Sequence, residues 1–483
     1  MKNILPCIRK KVIDVKEKEK TEGQKLAEKL TFTQAHIHDE KPELFEIAKE
    51  FCEGYKTFLE KAKTEREFAF HAEKLLAEGG YQPFERGRFY KAGDKVYTVN
   101  RKKAVLAATI GEKPLSEGLH ISVAHIDSPR LDLKPNPLYE DADLALLKTH
   151  YYGGIRKYQW GAMPLALHGV VVKKGGETVE IRIGEEPGDP VFCVNDLLPH
   201  LAAEQSKRTL GEGLKGEELN IVVGSLPYAD KEVKERVKLY TLQLLYEKYG
   251  ITERDFVRAE IEAVPAFKAS DVGFDRAMVG AYGQDDRVCA YTALQAELET
   301  KSPAFTTLCV LTDKEEIGSD GNTGLNSDYV FHFIEALCEG RGEDYKAAAA
   351  ASKCLSADVN AAFDPTFASV YEKRNAAYCN RGCVITKYTG ARGKSDTSDA
   401  GAEMMGYVAD LLDEAGVMWQ TGELGAVDAG GGGTVAKYVA NHNIDVVDIG
   451  VPLLSMHAPF ELAAKLDIYM AYLAFRAFAD SKK

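Results

Sequence analysis

Residues Ile121-Ser-Val-Ala-His125-Ile-Asp127-Ser-Pro129 make a short apolar run that ends in an imidazole and a carboxylate. A run of this length closed by a proline reads as a buried strand. Open α/β sheets gather ligand-binding side chains in the crevice at the carboxyl ends of their strands, so the place of His125 and Asp127 matters as much as their chemistry. Two residues apart on an extended chain they face the same way, and the carboxylate of Asp127 can fix one ring nitrogen of His125 while the other stays free for a metal ion. Taken alone, such a pair is more often an ordinary histidine with a nearby acid.

Three further apolar runs end alike: Leu308-Cys-Val-Leu-Thr-Asp-Lys-Glu315-Glu316, Cys354-Leu-Ser-Ala-Asp358, and Val446-Val-Asp-Ile-Gly-Val-Pro-Leu-Leu-Ser-Met-His457. Between the first and second runs, Gly283-Gln-Asp285-Asp286-Arg287 opens a predicted helix. Adjacent carboxylates repel when both are buried and ionised, and one of the Glu315-Glu316 doublet acting as metal ligand with the other as general base resolves the conflict. Alone, Asp358 reads as a helix cap and His457 as a structural residue. Together, two imidazoles, three carboxylates and a spare glutamate make a mixed N/O donor set suited to zinc, cobalt or manganese, without any cysteine. A hydrolase with open coordination positions fits that set best.

Outward from this frame, Leu44, Ile47, Phe51, Tyr55 and Phe58 recur at helical spacing, and Thr64 with Glu67 forms a capping box for a helix that stops near Gly79. Beyond Pro135 the texture turns to hairpins, one of them Leu165 to Val172, a Lys-Lys-Gly-Gly-Glu turn, and Thr178 to Ile183. From about Ala269 helix and strand alternate again, with a closing helix predicted from Glu461 to about Phe478. The expected fold is α/β: a mixed central sheet with helices on both faces and a mainly β inserted domain. The expected boundaries are 1–130 and 269–483 for the two parts of the catalytic domain and 131–268 for the insertion. The Lys- and Glu-rich segment from Lys16 to Lys29 reads as a solvated helix or flexible arm. The glycine run 430–433 lacks the lysine and Ser/Thr order of a phosphate loop and reads as a tight turn.

At 483 residues the chain is long enough for a large domain and a smaller one. Hydrophobic residues at 45% and charged residues at 28% are the balance of a globular protein, not a disordered one. The net charge of −13, spread along the chain, argues against nucleic acid as a partner. Nine cysteines without a CxxC pair read as reduced thiols, and no signal peptide or membrane span is legible, so the expectation is a cytoplasmic protein.

With these residues placed, the chain closely resembles the aspartyl aminopeptidase family of metallopeptidases, within the zinc exopeptidases. The blocks AHIDSP, QDDR, DKEEIGS, SAD, GGGGT and MHAPFE stand in the family's order from about residue 40 onward. The resemblance implies a metal-dependent aminopeptidase that removes the N-terminal residue of peptides at two bridged divalent ions, zinc above all. It implies that His125 and Asp358 complete one metal site, Glu316 and His457 the other, that Asp285 bridges them, and that Glu315 is the general base acting on water. It further implies dimers built through the inserted domain and a tetrahedral dodecamer. In the segment Leu197-Leu-Pro-His200-Leu-Ala-Ala-Glu204, the position at which the family has a histidine reaching a neighbouring subunit's active site is occupied by Glu204, and His200 is a candidate either as a structural residue or as a contact to metal or substrate. Family members that prefer acidic N-terminal residues carry a lysine after a Gly-x-Val-Ile strand. Here Thr386 follows Gly382-Cys-Val-Ile385 and Lys387 comes one place later, which puts it on the opposite face unless a bulge re-aims it. Thr386, Lys387 and Gly432 are the candidate substrate contacts, with Lys394 as another possible cation.

Two other readings stay open at this level: a related di-metal hydrolase acting on a non-peptide amide, and a catalytically inactive assembly protein that keeps the shell of the fold. A nucleotide-dependent enzyme using the glycine run is a third.

Overall fold

The computed structural model describes residues 20–390 and 392–483. It divides into two units, 1–35 and 36–483. In the first, Glu22–Leu30 is a helix whose Thr21 side chain accepts from the Gln24 N–H while Gln24 reaches back to the Thr21 N–H. None of its residues is buried, which agrees with a solvated helix; positions 16–19 of that segment lie outside the described residues.

In the second unit the central sheet has nine strands, in the spatial order Gln82–Pro83, Lys95–Asn100, Ala104–Thr109, Thr306–Thr312, Leu119–His125, Lys353–Ala357, Asp445–Gly450, Cys383–Thr386 and Trp419–Thr421. The four strands from Thr306–Thr312 to Asp445–Gly450 are parallel, flanked by antiparallel neighbours, so the sheet is mixed as expected. Because strand side chains alternate, each strand feeds two cores. Val105, Ala107, Cys309, Leu311 and Leu355 meet the helices Leu44–Lys61, Glu65–Glu78, Gln284–Glu299 and Lys465–Asp480. Leu106, Ala108, Leu308, Val310 and Cys354 meet Tyr329–Arg341 and Tyr345–Ala351 on the other face. Helices therefore cover both faces.

Between Arg130 and Pro265 the chain builds a seven-stranded antiparallel sheet of its own, in the order Thr178–Ile183, Leu165–Val172, Ala259–Pro265, Arg130–Asp141, Leu144–Tyr152, Ile221–Gly224, Cys193–Val194. The hairpin of Leu165–Val172 and Thr178–Ile183 has the ends read from sequence. Its apolar core includes Leu131, Trp160, Leu165, Ile221 and Val264. A third sheet of five short strands includes Met278–Ala281, Pro452–Leu454 and Glu461–Ala464.

The Thr64 capping box forms, with the Glu67 N–H donating to the Thr64 hydroxyl, and its helix ends at Gly79. Two expectations are corrected. The closing helix starts at Lys465, because Glu461–Ala464 is drawn into the third sheet by pairing with Met278–Ala281. The fourth apolar run is two strands, so His457 sits in the hairpin loop of the third sheet and not at the end of Asp445–Gly450. Among the described residues no helix is long and apolar enough to cross a membrane.

Candidate metal centre

His125 is the last residue of its strand, and the parallel neighbour aligns Thr312 with it, so the turn Glu315–Ile317 begins beside the imidazole. Lys314, with φ +70°, turns the chain at once after the strand and points the glutamate doublet inward. Asp358 directly follows the adjacent strand Lys353–Ala357. Asp285 and Asp286 arrive from the start of a helix, where Gly283 has φ +68° and a Cβ would overlap the buried Arg287 guanidinium, leaving glycine as the residue that fits. The Asp285–Asp286 peptide is cis. His457 comes from the third sheet.

These side chains converge. His125 Nε2 lies 3.2 Å from Asp285 Oδ1, and His457 Nε2 lies 3.1 Å from Asp285 Oδ2, so one carboxylate offers an oxygen to each imidazole. Glu316 Oε1 is 3.5 Å from His457 Nε2, and Glu315 Oε2 is 3.9 Å from His125 Nε2. Three groups have donor atoms mutually within 4.8 Å: His125, Asp286 and Asp358; His125, Glu315 and Glu316; Asp285, Glu316 and His457.

Around them a set of groups fixes orientation. The Nδ1 of His125 faces the Asp127 carbonyl at 3.0 Å and its carboxylate at 3.4 Å. The Asp127 carboxylate also accepts from the backbone N–H of Glu315 and Glu316 and from the Tyr152 hydroxyl, at 3.1, 3.2 and 2.8 Å. Glu461 accepts from the backbone N–H of His457, Gln284 and Asp285, at 2.7, 2.6 and 3.2 Å. Tyr152 is not legible as a site residue from sequence, and Glu461 was visible there only as the last residue of MHAPFE. Asp286 was visible there only as the second acid of QDDR.

Five carboxylates against two imidazoles leave an excess of buried negative charge. Burial pushes the Glu315 carboxyl up to about 7 and those of Glu316, Asp286 and Asp358 well above the usual range. Asp285 is the exception: burial pushes it up, and the two imidazoles outweigh burial and hold it below the ordinary range. Asp285 Oδ1, Glu316 Oε1 and both Asp286 carboxylate oxygens are buried without a hydrogen-bond partner. Orphaned acceptors beside imidazole nitrogens are the donor set a divalent cation of the zinc type satisfies.

The other candidates enter none of these ligand groups. Thr386 is buried at its strand end and accepts from Asn360 Nδ2 at 2.8 Å. Lys387 and Lys394 both pair with Asp399. The Gly432 carbonyl accepts from the Gly390 N–H, closing a loop beside a cavity of about 230 Å³ lined by Tyr388, Lys394, Glu423 and Gly430. His200 is exposed on the turn Pro199–Leu201 and enters none of the ligand groups, and Glu204 pairs with Lys207 at 2.6 Å.

Comparison with known proteins points to a zinc metalloprotease family. Residues 58–479 match the model of the family described as aminopeptidase I zinc metalloprotease (M18). A Clostridium acetobutylicum protein named "Probable M18 family aminopeptidase 1" is 49% identical over 435 residues, spanning 88% of this chain and 94% of its own. The crystal structure of an M18 aminopeptidase from Thermotoga maritima superposes with TM-score 0.89 at 44% identity, covering 93% of this chain and 100% of that one. The structure of an S. cerevisiae mApe1 dodecamer shares the fold at TM-score 0.71 and 21% identity, covering 90% of this chain and 97% of that one.

Proposed function

This chain belongs to the aminopeptidase I zinc metalloprotease (M18) family and is a metal-dependent aminopeptidase, and from that premise we propose that it works with two zinc-type ions sharing Asp285. The observation that carries this reading is the Asp285 carboxylate with one oxygen 3.2 Å from His125 Nε2 and the other 3.1 Å from His457 Nε2. His125 and Asp358 would hold one ion, with the Asp286 carboxylate within reach of both residues, and Glu316 and His457 would hold the other. When bound, such ions polarise a carbonyl and make water acidic near neutral pH.

The protein's own groups do the rest. Glu315 takes the proton of the water whose oxygen bonds to the carbon of the first peptide bond, then returns a proton to the nitrogen as the C–N bond breaks. The products are a free amino acid and a peptide shortened by one residue. Asp127 holds His125 through Nδ1 and the doublet through two backbone N–H groups, which keeps base and ligand in register.

Segment 131–268 serves as an inserted dimerisation domain, through which the chain assembles into dimers and a tetrahedral dodecamer; the S. cerevisiae mApe1 structure is itself a dodecamer. The eight free cysteines among the described residues suit a cytoplasmic enzyme. Thr386, Lys387 and Gly432 border the pocket for the N-terminal side chain. With Lys387 and Lys394 both engaged by Asp399, no acidic preference is assigned.

A panel of aminoacyl anilides, with N-acylated counterparts, tests the activity. Cleavage of free amines alone, abolished by a chelator and restored by two equivalents of zinc, is the expected result. Equal cleavage of the blocked compounds rejects an aminopeptidase, and full activity at one equivalent rejects the shared pair.

A further inference from the structure

The strand Leu144–Tyr152 belongs to the seven-stranded sheet, yet its last residue and the two glycines after it end inside the metal centre. The Tyr152 hydroxyl donates to Asp127 Oδ2 at 2.8 Å, on the carboxylate that faces His125 Nδ1. Two residues later, His457 Nδ1 lies 3.1 Å from the Gly154 carbonyl, and a Cβ on Gly154 would stand 3.0 Å from that nitrogen. Gly153 lies between them with φ +75°, where a Cβ would approach Glu316 Oε2 to 3.1 Å. Three consecutive residues thus touch the supports of both imidazoles and the back of one glutamate. The Arg130 guanidinium, 3.9 Å over the Tyr152 ring, presses the strap from its cross-strand partner.

We propose that Tyr152-Gly153-Gly154 is a positioning strap, through which the antiparallel sheet sets the orientation of His125 and His457 and thereby the zinc affinity and turnover of the centre. The proposal rests on the metal-centre reading above. Tyr152 acts through Asp127, and Gly154 acts through His457. A side-chain nitrogen that binds a metal needs its other nitrogen held, and loss of such a hold typically weakens metal affinity about 10- to 100-fold. Glycine at 154 is needed for closeness and not for backbone freedom, so alanine there displaces His457 without distorting the chain.

Gly154→Ala and Tyr152→Phe test it by competition of zinc alone against a chromogenic chelator, by kcat and KM on a free-amine anilide, and by melting of the chelated proteins. Each variant is expected to bind zinc at least tenfold more weakly and to lose at least tenfold in kcat at saturating zinc. KM and the chelated melting temperature should stay near wild type. The Tyr152→Phe effect should vanish in an Asp127→Asn background, because both changes cut one connection. Zinc affinity and kcat within twofold of wild type in both variants overturns the strap, as does a loss matched by a fall in melting temperature. If Tyr152→Phe does not fold, Gly154→Ala alone decides. Wild-type protein that takes up no zinc is a separate result, and it rejects the metal reading.

Discussion

Glu65, Glu262, Arg130 and Lys103 form one cluster of buried charge, and Asp285, Asp286, Glu315, Glu316 and Asp358 with their two imidazoles form another. In the first, Arg130 lies 3.3 Å from Glu65 and 3.2 Å from Glu262, and Lys103 lies 3.0 Å from Glu65. Burial drives the Glu65 carboxyl up, but the two cations outweigh burial and hold it well below its ordinary range. Burial outweighs Arg130 at Glu262 and pushes that carboxyl well above its ordinary range, but both glutamates have a cation of the chain itself within 3.3 Å, and the cluster ties the helix Glu65–Glu78 to the antiparallel sheet. In the second, the carboxylates outnumber the imidazoles and four of the five are pushed upward by burial. What separates a structural charge network from a metal centre here is where the positive charge comes from: the chain supplies it in one and leaves it to be bound in the other.

The sharpest break is Glu315→Gln, which should leave zinc binding within a few-fold and lower turnover by about two to four powers of ten. Near-normal turnover would remove Glu315 from the chemistry. Next is Arg130→Met, which strands Glu65 and Glu262 without their shared cation. It should lower stability by about 3–5 kcal/mol in denaturant unfolding of the chelated protein. A loss under 1 kcal/mol would show that the first cluster is not self-neutralising.

One carboxyl from each cluster, Glu65 and Glu315, should respond to pH with opposite signs. Glu65, depressed in the folded state, stabilises above its unfolded value and loses that contribution as pH falls through the folded value. Glu315, raised from 4.5 to about 7, binds its proton more tightly when folded, so stability falls as pH rises between those values. Chelated protein should therefore lose on the order of 3 kcal/mol over that window through this group, and Glu315→Gln should flatten the slope. An unchanged slope in the variant would assign it to other carboxyls. The smallest effect is expected at the rim, where Arg66→Ala opens the half-exposed pair with Glu260 at about 0–1 kcal/mol. A loss as large as that of Arg130→Met would mean that burial is not what sets the scale.

The strand Leu119–His125, the Thr64 helix start and the Leu165–Ile183 hairpin were legible because each is written in local spacing: apolar runs, a capping pair, a glycine turn. The acids and imidazole at the ends of the first three apolar runs were legible for the same reason, and the fold brings them together. His457 was legible as a residue but not as a place, because its run breaks at Gly450 and re-forms in another sheet. Glu461 was read into the closing helix, since four residues of helix-compatible sequence precede Lys465 and only pairing with Met278–Ala281 makes them a strand.

The sequence by itself determined which apolar runs end in an acid or an imidazole, the alternation that covers both sheet faces and the order of the elements, all of which depend on neighbours a few residues apart. Only the tertiary structure decided that Asp285 stands between two imidazoles, that Asp286 joins His125 and Asp358, and that Tyr152 and Gly154 reach Asp127 and His457. Those contacts join segments up to 303 residues apart. Their distances are set by how sheets and helices pack, which no local period encodes.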